Sequence, residues 1–321
     1  MMKKIISTVI IAALLVITAI YAATTGSIKM GFWEFISALF DPNNETMAAI
    51  RDLRFPRIIV AIFAGAALSI AGALLQAIMR NPLADAGVIG ISSGAAFTKL
   101  FIVSVIPTLF FMTPIFAFIG GALACFLVFA LAWKSGLNPL RLILIGIAIN
   151  AMFTGLTEAF ISFGGSLNAS ASSVLGSSLA FKTWDDVTII AIYGSIGIVL
   201  AFVMYSWCNV LALSDKTAQS IGFNVTLARL AIAAVAVLLS AISVVVAGVI
   251  AFVGLLVPHI ARRIVGHDHK VLLPFTALLG AFIILLADTI GRTVIAPLEV
   301  PASTIMAIIG GPFLIFLLRK G

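Results

Sequence analysis

The sequence predicts an all-α integral membrane protein of about ten transmembrane helices. Of its 321 residues, 62% are hydrophobic and 10% are charged, whereas soluble domains carry about 25% charged residues. A helix that crosses the hydrocarbon core of a bilayer needs about 20 apolar residues, and the chain supplies about ten such segments once loops are subtracted. We therefore expect a single transmembrane domain over residues 1–321, with membrane lipid as its main solvent.

The apolar segments can be bounded approximately from the hydropathy along the chain. Gly and Pro interrupt several of them, which is typical of irregular helices packed around a transport pathway. The first segment is longer than the core of a signal peptide, which is about 7 to 15 residues, so we interpret it as a membrane helix. The predicted segments are 5–24, 57–79, 92–112, 114–133, 140–163, 187–208, 228–248, 249–263, 271–292 and 302–318.

The basic residues predict that both termini lie in the cytoplasm. Ten spans that start inside place about twice as many Lys and Arg residues inside as outside, as the positive-inside rule requires. Lys99 falls within the third segment, and we expect it near the cytoplasmic end, where it can snorkel to the surface. Residues placed inside include Arg80, Lys216 and Arg229, and those placed outside include Arg54, Arg57 and Arg292.

The sequence contains no motif typical of an active site or a metal centre. It has no GxxxxGK[ST] loop, no HExxH, no GxSxG and no pair of carboxylates at helical spacing within a segment. Cys125 and Cys208 lack CxxC spacing and are expected to be packing residues. The net charge of +7 is scattered over membrane-flanking loops, which argues against a nucleic-acid partner. We expect neither catalysis nor a cofactor on this chain.

The loop LALSDKTAQSIGFNV, residues 211–225, is the one predicted cytoplasmic loop long enough to carry its own structure. Ser214 is a suitable N-cap, Asp215 favours the first turn, Ala218 lies in mid-helix and Gly222 can end the helix. A short cytoplasmic helix with a small and apolar surface suits docking into a cleft on a soluble partner. The alternative is a solvated connector.

Further blocks make the sequence recognisable. They are RNPLADAGVIGISSGAA at 80–96, GVIAFVGLLVPHIARRIVGHDHK at 248–270, ADTIGR at 287–292 and APLEVP at 296–301. Together with the 211–225 loop they resemble, in the same order and through essentially the whole chain, the FecCD family of permeases. These are subunits of type II ATP-binding cassette importers for ferric siderophores, haem or cobalamin.

The resemblance implies a ten-helix permease fold in the bacterial cytoplasmic membrane and a set of partners. These are a second permease subunit, identical or paralogous, two cytoplasmic ATPase subunits that bind ATP and Mg, and an extracytoplasmic substrate-binding protein. We expect an iron chelate as cargo, with a ferric siderophore preferred over haem or cobalamin. The alternatives are an ion-coupled secondary transporter, which would need buried carboxylates as relays, and a membrane receptor that senses ligand without moving it.

The resemblance also implies roles for residues of this sequence. Most relatives carry glycine where this chain has Ser214, so the start of the coupling helix is expected to differ slightly. ATPase coupling falls to Leu211, Ser214, Asp215, Ala218, Ile221 and Gly222. Binding-protein docking falls to Arg54, Arg57 and Arg292. The cytoplasmic gate falls to Asn81, Leu83, Asn138, Pro139 and Leu140.

Local alternatives stand beside these roles. Arg292 could pair with Asp288 at i,i+4, while Arg54 and Arg57 anchor a helix end. Glu158 is an acid well inside a span and therefore a pathway candidate, although a local polar role is equally consistent with its position.

The sequence has three histidines, and a metal site is the less favoured interpretation of them. Imidazole and carboxylate ligands suit zinc or iron. However, His259, His267 and His269 fall in a cytoplasmic turn typical of the family, so we expect structural or coupling roles for them.

Overall fold

A computed structural model describes residues 2–25, 30–38, 41, 44–132, 139–163, 179–295 and 298–320, and within these ranges every regular element is helical. The helices are α1 (Met2–Thr24), α2 (Phe32–Ala38), α3 (Glu45–Leu53), α4 (Phe55–Met79), α5 (Ile91–Val105), α6 (Thr113–Ala132), α7 (Pro139–Phe163), α8 (Trp184–Val203), α9 (Tyr205–Val210), α10 (Asp215–Ser220), α11 (Val225–Ala247), α12 (Val253–Val265), α13 (His269–Thr293) and α14 (Ala302–Lys320). A 3-10 helix, Pro107–Met112, lies between α5 and α6.

Seven helices in the described part of the chain are long and apolar enough to cross a membrane. They are α1, α4 together with α3, α6, α7, α8, α11 and α13. Helices α5 and α14 are shorter apolar helices, and α12 has 13 residues. These elements follow the order of the predicted segments. How many of them cross the bilayer, and on which side the termini lie, stay predictions.

Two predicted segments end earlier than expected. The third segment was bounded at 112, but α5 ends at Val105 and Ile106 leaves the helical region with φ −133° and ψ 66°. Pro107 explains this end, because a residue before proline is disfavoured in the α conformation. The sixth segment is interrupted at Met204, which separates α8 from the short α9.

Helix α4 is the centre of the bundle. In the most apolar stretch of the span formed by α3 and α4, 83% of the residues are buried inside the protein, compared with 11% in α1. Small residues let its neighbours approach closely. A Cβ on Gly65 would lie 2.2 Å from the carbonyl oxygen of Gly280 in α13, and a Cβ on Gly72 would lie 2.0 Å from that of Gly254 in α12. The Ser69 hydroxyl donates to the Thr276 carbonyl at 3.0 Å, so the small residues on this face of α4 form a packing face.

Polar contacts divide the bundle into two ends. We call inner end the one where Arg80, Asp215 and Arg229 meet, and outer end the one where Arg57 and Arg292 meet Asp288. The predicted threading placed the arginines of these two groups on opposite sides of the membrane. The structure keeps each group together, as that threading requires.

Lys99 does not lie where the sequence analysis placed it. It interacts electrostatically with Lys182 and Asp186, beside the start of α8, which runs from the outer end. Helix α5 begins at Ile91, so Lys99 stands about 12 Å along a short helix at 1.5 Å per residue. Lys99 therefore lies nearer the outer end than the sequence analysis expected, while the side of the membrane on which that end lies stays a prediction.

Candidate functional site

The 211–225 segment forms a discrete helix at the inner end. The Ser214 hydroxyl accepts from the Thr217 amide at 3.2 Å and caps α10. Gly222 has φ +78°, a conformation that side chains with a Cβ rarely adopt. The Phe223 amide then donates to the Ala218 carbonyl at 3.1 Å, across this turn. The predicted cap and stop of the helix are confirmed.

Asp215 ties this helix to the rest of the bundle. Its carboxylate lies 2.6 Å from Nη2 of Arg80, which follows the central helix α4. Arg229 of α11 donates to both oxygens of the same carboxylate, at 3.0 and 3.1 Å. We name Asp215, Arg80 and Arg229 the inner clamp. Burial alone would raise the pKa of Asp215, but Arg229 and Arg80 outweigh it and lower that pKa.

Arg80 also holds the start of the segment. Its Nε donates to the Leu211 carbonyl at 2.7 Å, and its Nη2 donates to the Leu213 carbonyl. Arg80 itself has φ +48°, which is uncommon for a residue other than glycine. Arg80 therefore links the start of the 211–225 segment to the end of α4.

The predicted coupling side chains divide into anchors and exposed groups. Leu211 and Ala218 are fully buried, whereas Ile221 is 64% exposed. Ala218 therefore packs the helix against the bundle instead of contributing to its free surface. Leu213, which the sequence analysis did not single out, is also exposed. The large apolar side chains that the segment exposes to a partner are thus Ile221 and Leu213.

Two of the five predicted gate residues, Asn81 and Leu83, lie in the turn after α4. The Asn81 side chain is buried, and its carbonyl oxygen accepts from the Leu83 amide at 2.9 Å. This local bond fixes the NPL turn. Of the other gate residues, Asn138 lies outside the described residues, and Pro139 and Leu140 begin α7 with side chains outside that description.

We call this turn the gate turn after its predicted role, which stays a prediction. Gln76 holds the turn in place, and the sequence analysis missed it. Its amide nitrogen donates to the carbonyls of Ala84, at 3.3 Å, and Gly254, at 3.0 Å, and its oxygen accepts from Arg262. The amide thus joins the gate turn to α12. A lone amide in an apolar span is the signal that could have revealed it.

Asp85 is a buried acid in the same turn. Burial raises its pKa to about 6, against the lowering effect of hydrogen bonds from the Gly87 and Ala86 amides. Its Oδ1 leaves no room for a Cβ on Gly254, which would lie 2.2 Å away. The gate turn, α4 and α12 are therefore in van der Waals contact at Gly254, with no space for a larger residue there.

The three histidines do not form one group. His269 contacts the Asn209 oxygen through its Nδ1 at 2.8 Å, and Asn209 in turn donates to Asp268 at 2.8 Å. The His259 ring instead lies edge-on to Phe313, 5.7 Å between centroids. Among the described residues, no three His, Cys, Asp or Glu side chains could hold a metal ion. The absence of a metal site stays a prediction.

The outer end contains a buried ion-pair network. Arg57 donates to both oxygens of Asp288, at 2.8 to 3.1 Å, and lies 2.8 Å from Glu299. The side chain of Asp288 is 2% exposed, whereas that of Glu299 is 43% exposed. Arg292 approaches Asp288 at 3.4 Å from one helical turn away, so the local pairing considered as an alternative is present.

The predicted docking arginines are all held within the chain. Arg54 donates to the Ala23 carbonyl at 2.6 Å, and Arg292 donates to the Ala22 carbonyl at 3.2 Å, which ties both to the end of α1. Their docking role stays a prediction. Glu158, the pathway candidate, is exposed on α7, and its role stays a prediction too.

Comparison with known proteins identifies the family. The FecCD transport family matches residues 14–320. The chain belongs to this family. The probable heme-iron transport system permease protein IsdF of Staphylococcus aureus strain MSSA476 is 38% identical over 316 residues, which cover 98% of this chain and 96% of the relative. The same protein of strain bovine RF122 / ET3-1 is 37% identical over the same coverage.

Solved structures agree with the family assignment. A structure assigned to a metal-chelate type ABC transporter in an inward-facing conformation matches with a TM-score of 0.82 and 29% identity, covering 98% of this chain and 99% of that one. PsaBC from Streptococcus pneumoniae in complex with Fab matches with a TM-score of 0.62 and 16% identity, covering 89% and 95%, and shows the fold alone. This FecCD protein is a multi-pass membrane protein with the fold of an ABC importer permease.

Proposed function

We propose that this FecCD protein is the permease subunit of an ATP-driven importer that carries an iron chelate across the bacterial cytoplasmic membrane. The observation that carries the proposal is the discrete helix at the inner end, which the inner clamp links to the central helix. The chain has no phosphate-binding loop of its own. ATP and Mg would therefore be bound by a separate ATPase subunit that contacts the 211–225 segment.

The clamp suggests how force reaches the gate. An ATPase that grips exposed groups such as Ile221 would move the segment, and Arg80 would transmit the movement to the end of α4. The gate turn begins directly after Arg80 and is joined to α12 through Gln76. Packed, hydrogen-bonded elements move as units, so one displacement would shift the turn and both helices.

Haem is the first cargo to test. Curated relatives at 37% and 38% identity carry the name of a heme-iron permease, and the solved relative is assigned to a metal-chelate transporter. A ferric siderophore and cobalamin remain the other candidates within the class. The cargo would be handed over by an extracytoplasmic binding protein and would pass between two permease subunits, identical or paralogous.

The proposal is tested by uptake into proteoliposomes that contain the permease with its ATPase and binding protein. Haem, a ferric siderophore and cobalamin are supplied in turn, with an inactive ATPase as the control. We expect ATP-dependent accumulation of one iron chelate. Accumulation that does not depend on ATP but is lost when the proton gradient is removed would instead indicate an ion-coupled transporter. Binding of the chelate without accumulation would indicate a receptor.

Docking of the binding protein at the outer end needs a separate measurement. Arg54→Gln, Arg57→Gln and Arg292→Gln are compared with Arg51→Gln, because the side chain of Arg51 is 62% exposed. Affinity for the binding protein is measured at two salt concentrations in variants whose melting temperature is known. A docking role predicts weaker and less salt-sensitive binding; unchanged affinity in folded variants of all three would remove it.

A further inference from the structure

An apolar groove runs along the surface between α6 and α11. One part of it has a volume of about 350 Å³, within the range of small-molecule sites. Apolar side chains line it, among them Cys125 and Phe129 from α6 and Ala233 and Val237 from α11, and Arg229 lies at one end. The groove therefore has an apolar body and a cationic end.

The groove has the length of one leaflet. A second hollow of about 250 Å³ shares Phe118 and Ala234 with the first and reaches Leu238 of α11. The lining residues of α11 thus run from Thr226 to Leu238, about 18 Å at 1.5 Å per residue. Half of a bilayer's hydrocarbon core is about 15 Å thick. An extended acyl chain from the leaflet at the inner end would fill this distance.

The cationic end carries an unbalanced positive charge. Arg229 and Arg80 share the single carboxylate of Asp215, so the inner clamp has a net charge of about +1 from its formal charges. Both terminal nitrogens of Arg229 contact Asp215, while its Nε is buried and has no hydrogen-bond partner among the described residues. The Arg229 side chain as a whole is 18% exposed and lines the groove, so its positive charge would attract an anionic oxygen placed there.

We propose that the groove binds one anionic phospholipid of the inner-end leaflet, with an acyl chain between α6 and α11 and the phosphate at Arg229. Basic pockets at the cytoplasmic ends of transmembrane helices bind anionic headgroups. Because Arg229 also holds the coupling segment, the lipid would sit beside the inner clamp. The proposal requires membrane embedding and does not depend on the transport function.

The test is lipid binding to the purified, delipidated permease, or to its complex with its partners, followed by native mass spectrometry. The probes are phosphatidylglycerol and phosphatidylcholine. One cationic residue near an anionic lipid surface contributes about 1 kcal/mol, so we expect about fivefold tighter binding of phosphatidylglycerol. Equal binding of the two lipids would overturn the proposal.

Variants separate the two parts of the site. Ala234→Phe fills the groove from an exposed alanine and should abolish the preferred site, whereas Leu227→Phe, exposed on the same helix and outside the groove lining, should leave it intact. Arg229→Gln should remove the preference for phosphatidylglycerol. Asp215→Asn also breaks the inner clamp but keeps Arg229, so the preference should persist.

Each opposite outcome counts against the site. Persistence of the preference in both Ala234→Phe and Arg229→Gln would place the lipid elsewhere. Its loss in Asp215→Asn as well would show that the intact clamp matters instead of the arginine. A groove occupied by a second copy of the chain would appear as a change of oligomeric state in Ala234→Phe with no lipid effect.

Discussion

Replacing Asp215 with asparagine tests the inner clamp directly. Asparagine keeps the size of the side chain but removes the charge that two guanidinium groups share. Ser214 still caps α10, so the helix itself should form. What is lost is the ion pairing of Asp215 with Arg80 and Arg229, while the bonds from Arg80 to the Leu211 and Leu213 carbonyls remain. The segment should therefore open from the bundle more often without any change in the rest of the fold.

The size of the effect follows from exposure. The side chain of Asp215 is 41% exposed, so each of its two ion pairs is expected to contribute at most about 1 kcal/mol. Loss of both would lower the free energy of local opening by about 1 to 2 kcal/mol. Since about 1.4 kcal/mol is a factor of ten, amide exchange in the segment should become about five- to thirtyfold faster.

Hydrogen exchange of the intact permease, read by mass spectrometry on peptides covering 211–222, measures this opening. Lys216→Gln is the matched control, because it removes a neighbouring exposed charge that is not part of the clamp. Exchange in peptides from α13 should be unchanged in both variants. If Asp215→Asn exchanged at the rate of the unmodified chain, the clamp would not hold the segment and the proposed route of force would be wrong.

The pH dependence has a defined sign. Arg229 and Arg80 lower the pKa of Asp215 in the folded state against the opposite effect of burial. The clamp is therefore fully formed above the unfolded pKa of Asp, about 3.9, and is lost as pH falls through the lowered folded value. The difference in the free energy of local opening between the unmodified chain and Asp215→Asn should stay constant from about pH 6 to 8. It should vanish only in acid.

Three further substitutions test other parts of the account. Arg57→Gln leaves a buried carboxylate without its main partner and should cost about 3 to 5 kcal/mol of stability; thermal unfolding should show a large drop that the exposed-site variant Arg51→Gln lacks. Gly280→Ala places a Cβ 2.1 Å from the Ser69 hydroxyl and should lower the stability of the fold by about 1 to 3 kcal/mol. In the control Gly311→Ala the new Cβ meets nothing within 4 Å, so the stability should not change. Equal stability of the two variants would contradict the packing argument. At Gly222 a valine side chain has space, but valine disfavours the backbone conformation at φ +78°. In Gly222→Val the uptake per ATP hydrolysed should therefore fall severalfold, whereas Gly222→Asn should retain it, because asparagine tolerates this conformation. Full activity of the valine variant would speak against a coupling role.

Local features of this protein were predictable because they depend on nearby residues. Ser214 as a cap and Gly222 as a stop follow from propensities that act within one helical turn. The close approach at Gly65 and Ser69 follows from small residues on one helix face. The order of the membrane helices follows from hydropathy alone. These features need no knowledge of which helices are neighbours.

Long-range contacts were not predictable for the same reason. Arg57 and Asp288 are 231 positions apart, and Gln76 and Arg262 are 186 apart; no spacing rule connects such residues. Ala218 was expected on the docking surface, but its orientation depends on how the helix meets the bundle, and it is buried. Lys99 was misplaced because hydropathy could not show where α5 ends.

The most direct test of the central claim is transport by the permease with and without its ATPase. Identical proteoliposomes are loaded with the binding protein and an iron chelate outside and ATP inside, and accumulation is followed over time. The account predicts uphill accumulation only when the ATPase is present, and its loss when the ATPase cannot hydrolyse ATP. Uphill accumulation by this chain alone would contradict it.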